Sequence, residues 1–172
     1  MRTKIIIALA VVLAGFSAKT AVAQDVALTE AQEIPAESTE LSVVERWRAK
    51  PGTIFSASEI SLNELIFIAR PVVVFADNPN DPQYSRQIDL LMADLSGLAL
   101  RDVIIIVDTD PDARSDVRQE LRPRGFGLVL IDKDGRVALR KPAPWDVREI
   151  TRTVDRMPTR IQEIRERDGL AQ

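Results

Sequence analysis

The unbroken β-branched run Val103–Val107 (VIIIV) constrains this chain more than any other stretch, because it has no polar residue to turn toward water and suits a strand covered on both faces. A second apolar run of strand character, Val72–Ala76 (VVVFA), opens behind Arg70-Pro71. Between the two, Asp81-Pro82 predicts a helix start. Tyr84, Ile88, Leu91 and Leu95 then follow at spacings of four, three and four, one apolar stripe that Gly97 is expected to stop. Two strands joined through a helix should be parallel neighbours in one central sheet.

The same reasoning extends to both sides. Val43, Val44 and Trp47 mark where folded sequence begins, Pro51-Gly52 is a turn, and Ser61-Leu62-Asn63-Glu64 has the form of a capping box that starts a short helix feeding the first strand. After VIIIV, Asp110-Pro111 predicts a second helix with Ala113, Val117 and Leu121 on its inner face and Pro123 at its end. Leu128–Ile131 and Val137–Leu139 flank Asp132-Lys133-Asp134-Gly135, where Asp-Gly supplies the positive φ of a tight turn between antiparallel strands. Val147, Ile150, Val154, Met157, Ile161 and Ile164 trace a last amphipathic helix begun by Asp146, with a kink or two abutting helices expected at Pro158. The order is strand, helix, strand, helix, hairpin, helix: an α/β chain with a central mixed sheet between two helical layers.

The N-terminus reads differently. Arg2 and Lys4 precede an apolar run, Ile5–Phe16, and small residues ending in Ala21-Val22-Ala23, the layout of a secretory signal peptide over residues 1–23. The run is short for a bilayer span, so the expectation is a periplasmic or secreted protein starting at Gln24 without stable membrane insertion. Residues 24–40 form an acidic, apolar-poor lead-in of flexible character, and residues 41–172 a single domain. Without Arg2, Lys4 and Lys19, 20 basic residues face 26 acidic ones, a balance that disfavours nucleic acid and anionic lipid as partners. The chain has no cysteine and no histidine. Disulfides, thiolate chemistry and cysteine ligation are excluded, and the usual neutral-pH general base is missing, which leaves carboxylates, Lys, Arg, Ser, Thr or Tyr84 for any catalysis.

Two stretches carry a resemblance. VVVFADNPNDPQ (residues 72–83) resembles the thioredoxin strand and the redox loop after it, with Pro79 and Pro82 in the places of the two cysteines. GFGLVLIDKDG (residues 125–135) resembles the thioredoxin segment from the active-site proline through the hairpin turn, with Gly127 where that family has its cis-proline. From Glu64 to Glu163 the chain is similar to an uncharacterised family of secreted thioredoxin-like or peroxiredoxin-like domains, found alone in bacteria and within sushi-repeat extracellular proteins. The marks are Arg70-Pro71, Arg101-Asp102, Lys133-Asp134-Gly135 and the late Asp155, Met157, Pro158, Arg160 and Glu163. The resemblance implies a thioredoxin-like three-layer sandwich and export, and lends no activity. Thiol–disulfide exchange and cysteine-dependent peroxide reduction have lost their nucleophile.

Four groups of residues are candidates for function. Asn78, Asn80, Asp81 and Tyr84, with Phe126 and Gly127 facing them across the sheet end, would make a pocket for a peptide or small polar molecule through amides, backbone N–H groups and one aromatic ring; the same residues also suit a simple turn with core aromatics. Asp108, Asp110 and Asp112 at a strand end have the spacing of a metal-assisted hydrolase of the haloacid-dehalogenase type, or of a calcium loop that Ala113 and Gln119 spoil, or of helix caps and solvated turn residues. Lys133, Arg136, Arg140 and Lys141 gather at the hairpin as guards of an edge strand or, with Arg160, as an anion or partner site. Arg160 and Glu163 read as a helix-surface ion pair, and Trp47 and Trp145 as anchors for the domain's ends. The preferred expectation is an exported, non-catalytic module that binds a protein, peptide or small ligand through the old redox edge or the basic hairpin, with no cofactor and no resident metal. A hydrolase centred on Asp108 and Asp110, or a purely structural accessory domain, are the alternatives.

Overall fold

The structure, a computed structural model, describes residues 41–170; the predicted signal peptide and acidic lead-in lie outside the described residues. In chain order the elements are α1 (Val43–Ala49), β1 (Ile54–Ser56), β2 (Arg70–Phe75), α2 (Pro82–Met92), α3 (Leu95–Ala99), β3 (Val103–Asp108), α4 (Asp116–Leu121), β4 (Gly127–Ile131), β5 (Val137–Lys141), α5 (Val147–Asp155) and α6 (Pro158–Leu170). The five strands form one sheet in the order β1-β3-β2-β4-β5. β1, β3 and β2 are parallel, β4 runs antiparallel to β2, and β5 antiparallel to β4. That order and those directions define a thioredoxin-like mixed sheet.

The two apolar runs are the centre of it. β2 and β3 pair over six residues with Val72 opposite Ile105, and every residue of β2 is buried. Alternate side chains point to opposite faces, so each run feeds two cores. On one face Val73, Phe75, Ile104, Ile106 and Val129 pack under Val43 and Trp47 of α1 and Val117 and Leu121 of α4. On the other, Val72, Val74, Ile105, Leu128 and Leu130 pack under Leu91 of α2, Leu98 of α3 and Val147, Ile150 and Val154 of α5.

Several boundaries differ from expectation. The capping box forms at Ser42, whose Oγ accepts from the Glu45 N–H at 3.2 Å while Glu45 Oε2 accepts from the Ser42 N–H at 2.8 Å. Ser61 makes no such bond, and Leu62–Leu65 is only a 3₁₀ turn. β1 has three residues, too few to show an alternation. Gly97 does not stop the crossover helix: Asp94 breaks it and caps α3, accepting from the Gly97 N–H at 2.8 Å and the Ser96 hydroxyl at 3.0 Å. A Cβ on Gly97 would sit 2.1 Å from Asp94 Oδ2, so this capping geometry holds only while position 97 lacks a side chain.

Asp110-Pro111 opens a single 3₁₀ turn, Pro111–Ala113, which Arg114 ends in the left-handed conformation. α4 starts afresh with Ser115 as its cap, so Ala113 is exposed while Val117 and Leu121 are buried. The hairpin forms as expected, with Gly135 at φ 82°. α5 and α6 abut at Pro158, but the inward stripe ends at Met157; Ile161 and Ile164 are 37% and 38% exposed. Trp47 of α1 is buried against the sheet, and Trp145 is tied to the buried Gln87, whose side-chain amide accepts from the Trp145 N–H at 2.7 Å and donates to its carbonyl at 3.0 Å. Among the described residues no helix is long and apolar enough to cross a membrane.

Candidate functional site

Phe75 lies opposite Asp108 on one side and Gly127 on the other, so the loops after β2 and β3 and the loop before β4 meet at one end of the sheet. Arg118 of α4 closes over that end. Its Nε donates to Asp108 Oδ1 at 2.9 Å, its Nη2 donates to the carbonyls of Ala76 at 2.8 Å and Asp108 at 3.1 Å, and its guanidinium sits 5.4 Å from the Phe75 ring centre. Ser115 Oγ donates to Asp108 Oδ2 at 2.6 Å. The buried carboxylate of Asp108 is thus held on both oxygens. Asp110 accepts from the N–H groups of Asp112 and Ala113, and Asp112 is exposed. The three aspartates therefore act as an ion-pair partner, a cap and a turn residue, and among the described residues no group of three acidic side chains converges on a metal position. Arg118 was not marked by the sequence, since it stands ten residues from Asp108 on what reads as a helix surface.

The loop after β2 organises itself. Asn78 Oδ1 accepts from the Asn80 N–H at 3.0 Å, and Asp81 Oδ1 accepts from the N–H groups of Gln83 at 2.7 Å and Tyr84 at 3.4 Å. Pro79 and Pro82 are exposed. Tyr84 packs against the apolar cluster on the α2 side of the sheet, and burial raises its phenol pKa above the usual value.

Phe126 and Gly127 face a different space. They line a cleft of about 240 Å³ between the Arg122–Phe126 loop and the ends of β4 and β5, with Phe75 and Val129 in its floor. Gly127 and Val129 project to the same face of β4, and a Cβ on Gly127 would meet only the Lys141 carbonyl, at 3.8 Å. Arg122, Arg124 and Arg140 border the cleft, and none of its lining residues is acidic. Arg140 Nη1 donates to the Leu121 carbonyl at 2.8 Å, which holds it beside Arg122 at the end of α4. Among the described residues Arg122 and Arg124 make no side-chain hydrogen bond or ion pair. Lys141 contributes main chain, while its Nζ lies over the Trp145 ring at 4.7 Å. The structure thus joins two of the six residues of the expected pocket to part of the basic hairpin. Asn78, Asn80, Asp81 and Tyr84 are not among the residues lining this cleft.

Arg70, Lys133 and Arg160 belong to the opposite end of the sheet. Arg70 is fully buried; its guanidinium donates to Asp132 Oδ1 at 3.2 Å, the Arg101 carbonyl at 3.0 Å, Thr159 Oγ1 at 2.7 Å and Glu163 Oε1 at 2.9 Å. Lys133 Nζ bridges Asp102 at 2.7 Å and Glu163 at 2.9 Å, which removes it from the hairpin cluster. Arg160 is 7% exposed and donates to Glu163 Oε2 at 3.3 Å, so this pair is a buried tie rather than a surface one; the break at Pro158 sets the first turn of α6 against Asp132 and Arg70. Burial by itself would raise the Glu163 carboxyl, but hydrogen bonds and charge from Arg70 and Lys133 outweigh it and lower its pKa from 4.5 to about 2. Arg101 holds Asp155 through two 2.8 Å bonds.

The family model for the Domain of unknown function (DUF4174) matches residues 61–163, more than half of the chain. No curated protein matches. Among solved structures, the reduced 2-Cys peroxiredoxin of Plasmodium vivax aligns at 16% identity and TM-score 0.48, covering 62% of this chain and 85% of that one. Thioredoxin peroxidase I of Plasmodium yoelii aligns at 17% identity and TM-score 0.44, covering 56% and 76%. The mitochondrial 2-Cys peroxiredoxin of Plasmodium falciparum aligns at 17% and 0.42, covering 56% and 79%. Values this low carry nothing about activity, and the strand order itself remains the ground for the fold.

Proposed function

Because the chain belongs to the family of the domain of unknown function DUF4174, whose description assigns no activity, we propose that it is an exported, non-catalytic recognition module that engages a peptide or other ligand at the cleft beside Gly127. One observation carries this reading. At the sheet end where a thioredoxin-like fold would present sulfur, this chain has no cysteine and instead has an open cleft with an apolar floor and arginines at its border. Clefts of this composition are where proteins hold ligands. The test is selection of displayed peptides on the purified domain, repeated with Gly127→Leu, which fills the cleft from a strand position that tolerates a side chain. Peptides enriched on the parent and lost on the variant support the proposal; no enrichment, or enrichment that the variant retains, overturns it. The domain should also show no insulin reduction and no peroxide consumption.

A further inference from the structure

Resting on that reading, we propose that the cleft selects acidic polypeptide: an extended segment that sets an apolar side chain over Gly127 and Val129 beside Phe75 and its carboxylates on Arg122, Arg124 and Arg140. Charge complementarity is the first ground. The whole chain carries a formal charge of −3, yet three arginines border this cleft and no acidic residue lines it. Arg122 and Arg124 have no partner among the described residues, and Arg140 uses one of its nitrogens on Leu121, leaving the rest of its donor fork free. Guanidinium groups match carboxylates in two-point geometry, so arginines that share one cleft suit an anionic ligand.

The second ground is the floor. A free inorganic anion would satisfy the arginines and leave the groove beside Gly127 uncovered. A nucleic acid would need an exposed aromatic face for stacking, but Phe75 is fully buried and Phe126 is 9% exposed. An anionic membrane would meet the arginines only together with the acidic remainder of the surface. A peptide carries both carboxylates and an apolar side chain on one backbone, and an open cleft beside the edge strand β5 admits an extended chain.

Two synthetic nonapeptides, each with a central leucine flanked on either side by four Glu or four Gln residues, are titrated against the domain by fluorescence anisotropy, with tetraglutamate as a third probe. The Glu peptide should bind about tenfold tighter than the Gln peptide, the sum of several exposed charge pairs each worth less than a factor of ten. It should weaken as salt rises from 50 to 300 mM, roughly. Arg122→Gln with Arg124→Gln should remove most of that ratio; neither side chain has a partner here, so the fold is not at stake, and circular dichroism checks it. Equal binding of the Glu and Gln peptides, both lost in Gly127→Leu, overturns the charge selection and leaves the recognition reading standing. Tetraglutamate binding as tightly as the Glu peptide overturns the role of the floor. Binding by none of the probes overturns acidic selection, and the peptide selection above then decides the broader reading by itself.

Discussion

Glu163→Gln should uncouple α6 from the sheet and remove most of the acid sensitivity of this domain. Glu163 accepts from the fully buried Arg70 at 2.9 Å and lies 2.9 Å from Lys133 Nζ and 3.3 Å from Arg160 Nη1. Its carboxyl pKa falls from 4.5 to about 2 although burial pushes the other way. Taken at face value that shift is worth about 3 kcal/mol at neutral pH, and screening at a side chain 23% exposed reduces it to about 2 kcal/mol. The folded-state pKa is depressed, so this stability is fully present above pH 4.5 and disappears as pH falls toward 2. Urea unfolding of parent and variant, followed by tryptophan fluorescence at pH 7, 4 and 2.5, reads both effects. The variant should lose about 2 kcal/mol at pH 7, or about 5–8 °C in melting temperature, and the gap should shrink steadily at pH 4 and 2.5. A variant as stable as the parent at pH 7, or a gap that stays constant with pH, would refute the assignment of Glu163 as the carboxylate that joins Arg70 to Lys133.

Four further outcomes follow from the same geometry. Gly97→Ala should cost about 1–2 kcal/mol by thermal melting, because the new methyl displaces the Asp94 carboxylate that caps α3. Asp108→Asn should cost about 2–3 kcal/mol by leaving Arg118 without its buried anion, and Ca²⁺, Mg²⁺ and Mn²⁺ should leave the parent's melting curve unmoved; saturable stabilisation by any of them would revive the hydrolase alternative. Phe67→Asn should hold or raise stability by up to ~1 kcal/mol, since Phe67 has φ 60° and is 77% exposed. Mass spectrometry of the exported protein should find a mature N-terminus at Gln24, and retention of residues 1–23 would contradict the predicted signal peptide.

The elements that were legible in the sequence are those whose residues answer to local rules. VIIIV has no polar face to offer water, and it became the buried strand β3; Asp134-Gly135 needed a positive φ, and Gly135 has it. Pro158 removed one helical N–H and divided α5 from α6. The errors came where a tertiary partner outbid the local pattern. Ser61 and Glu64 have capping-box spacing but only a 3₁₀ turn to cap, while Gly97 has the look of a stop yet lies inside α3, where its missing Cβ leaves room for the Asp94 cap. The cleft was half legible. Phe126, Gly127 and Arg140 were marked, but as members of two unrelated groups, because nothing in the linear order says that the end of β5 lies beside the loop entering β4. Arg122 and Arg124 carried no signal, for an arginine after a helix end is ordinary.

On the proposed reading, the loop after β2 accounts for why a ligand would engage the cleft beside Gly127 and not the helix start at Pro82. In a thioredoxin-like fold the first turn of the helix after that loop exposes unpaired N–H groups, and these would stabilise a thiolate or attract an anionic ligand. Here Asp81 occupies that place and accepts from both Gln83 and Tyr84, so the helix terminus is neutralised by the chain's own carboxylate. Asn78 is likewise engaged by Asn80 within the turn. Arg118 then ties Ala76 and Asp108 together directly beneath the loop. With those donors internally paired, Arg122, Arg124 and Arg140 at the cleft are left without a carboxylate partner among the described residues. A ligand drawn by charge is therefore drawn there, and Asp81→Ala should leave its affinity unchanged even though the same substitution would cost α2 about 1 kcal/mol of capping.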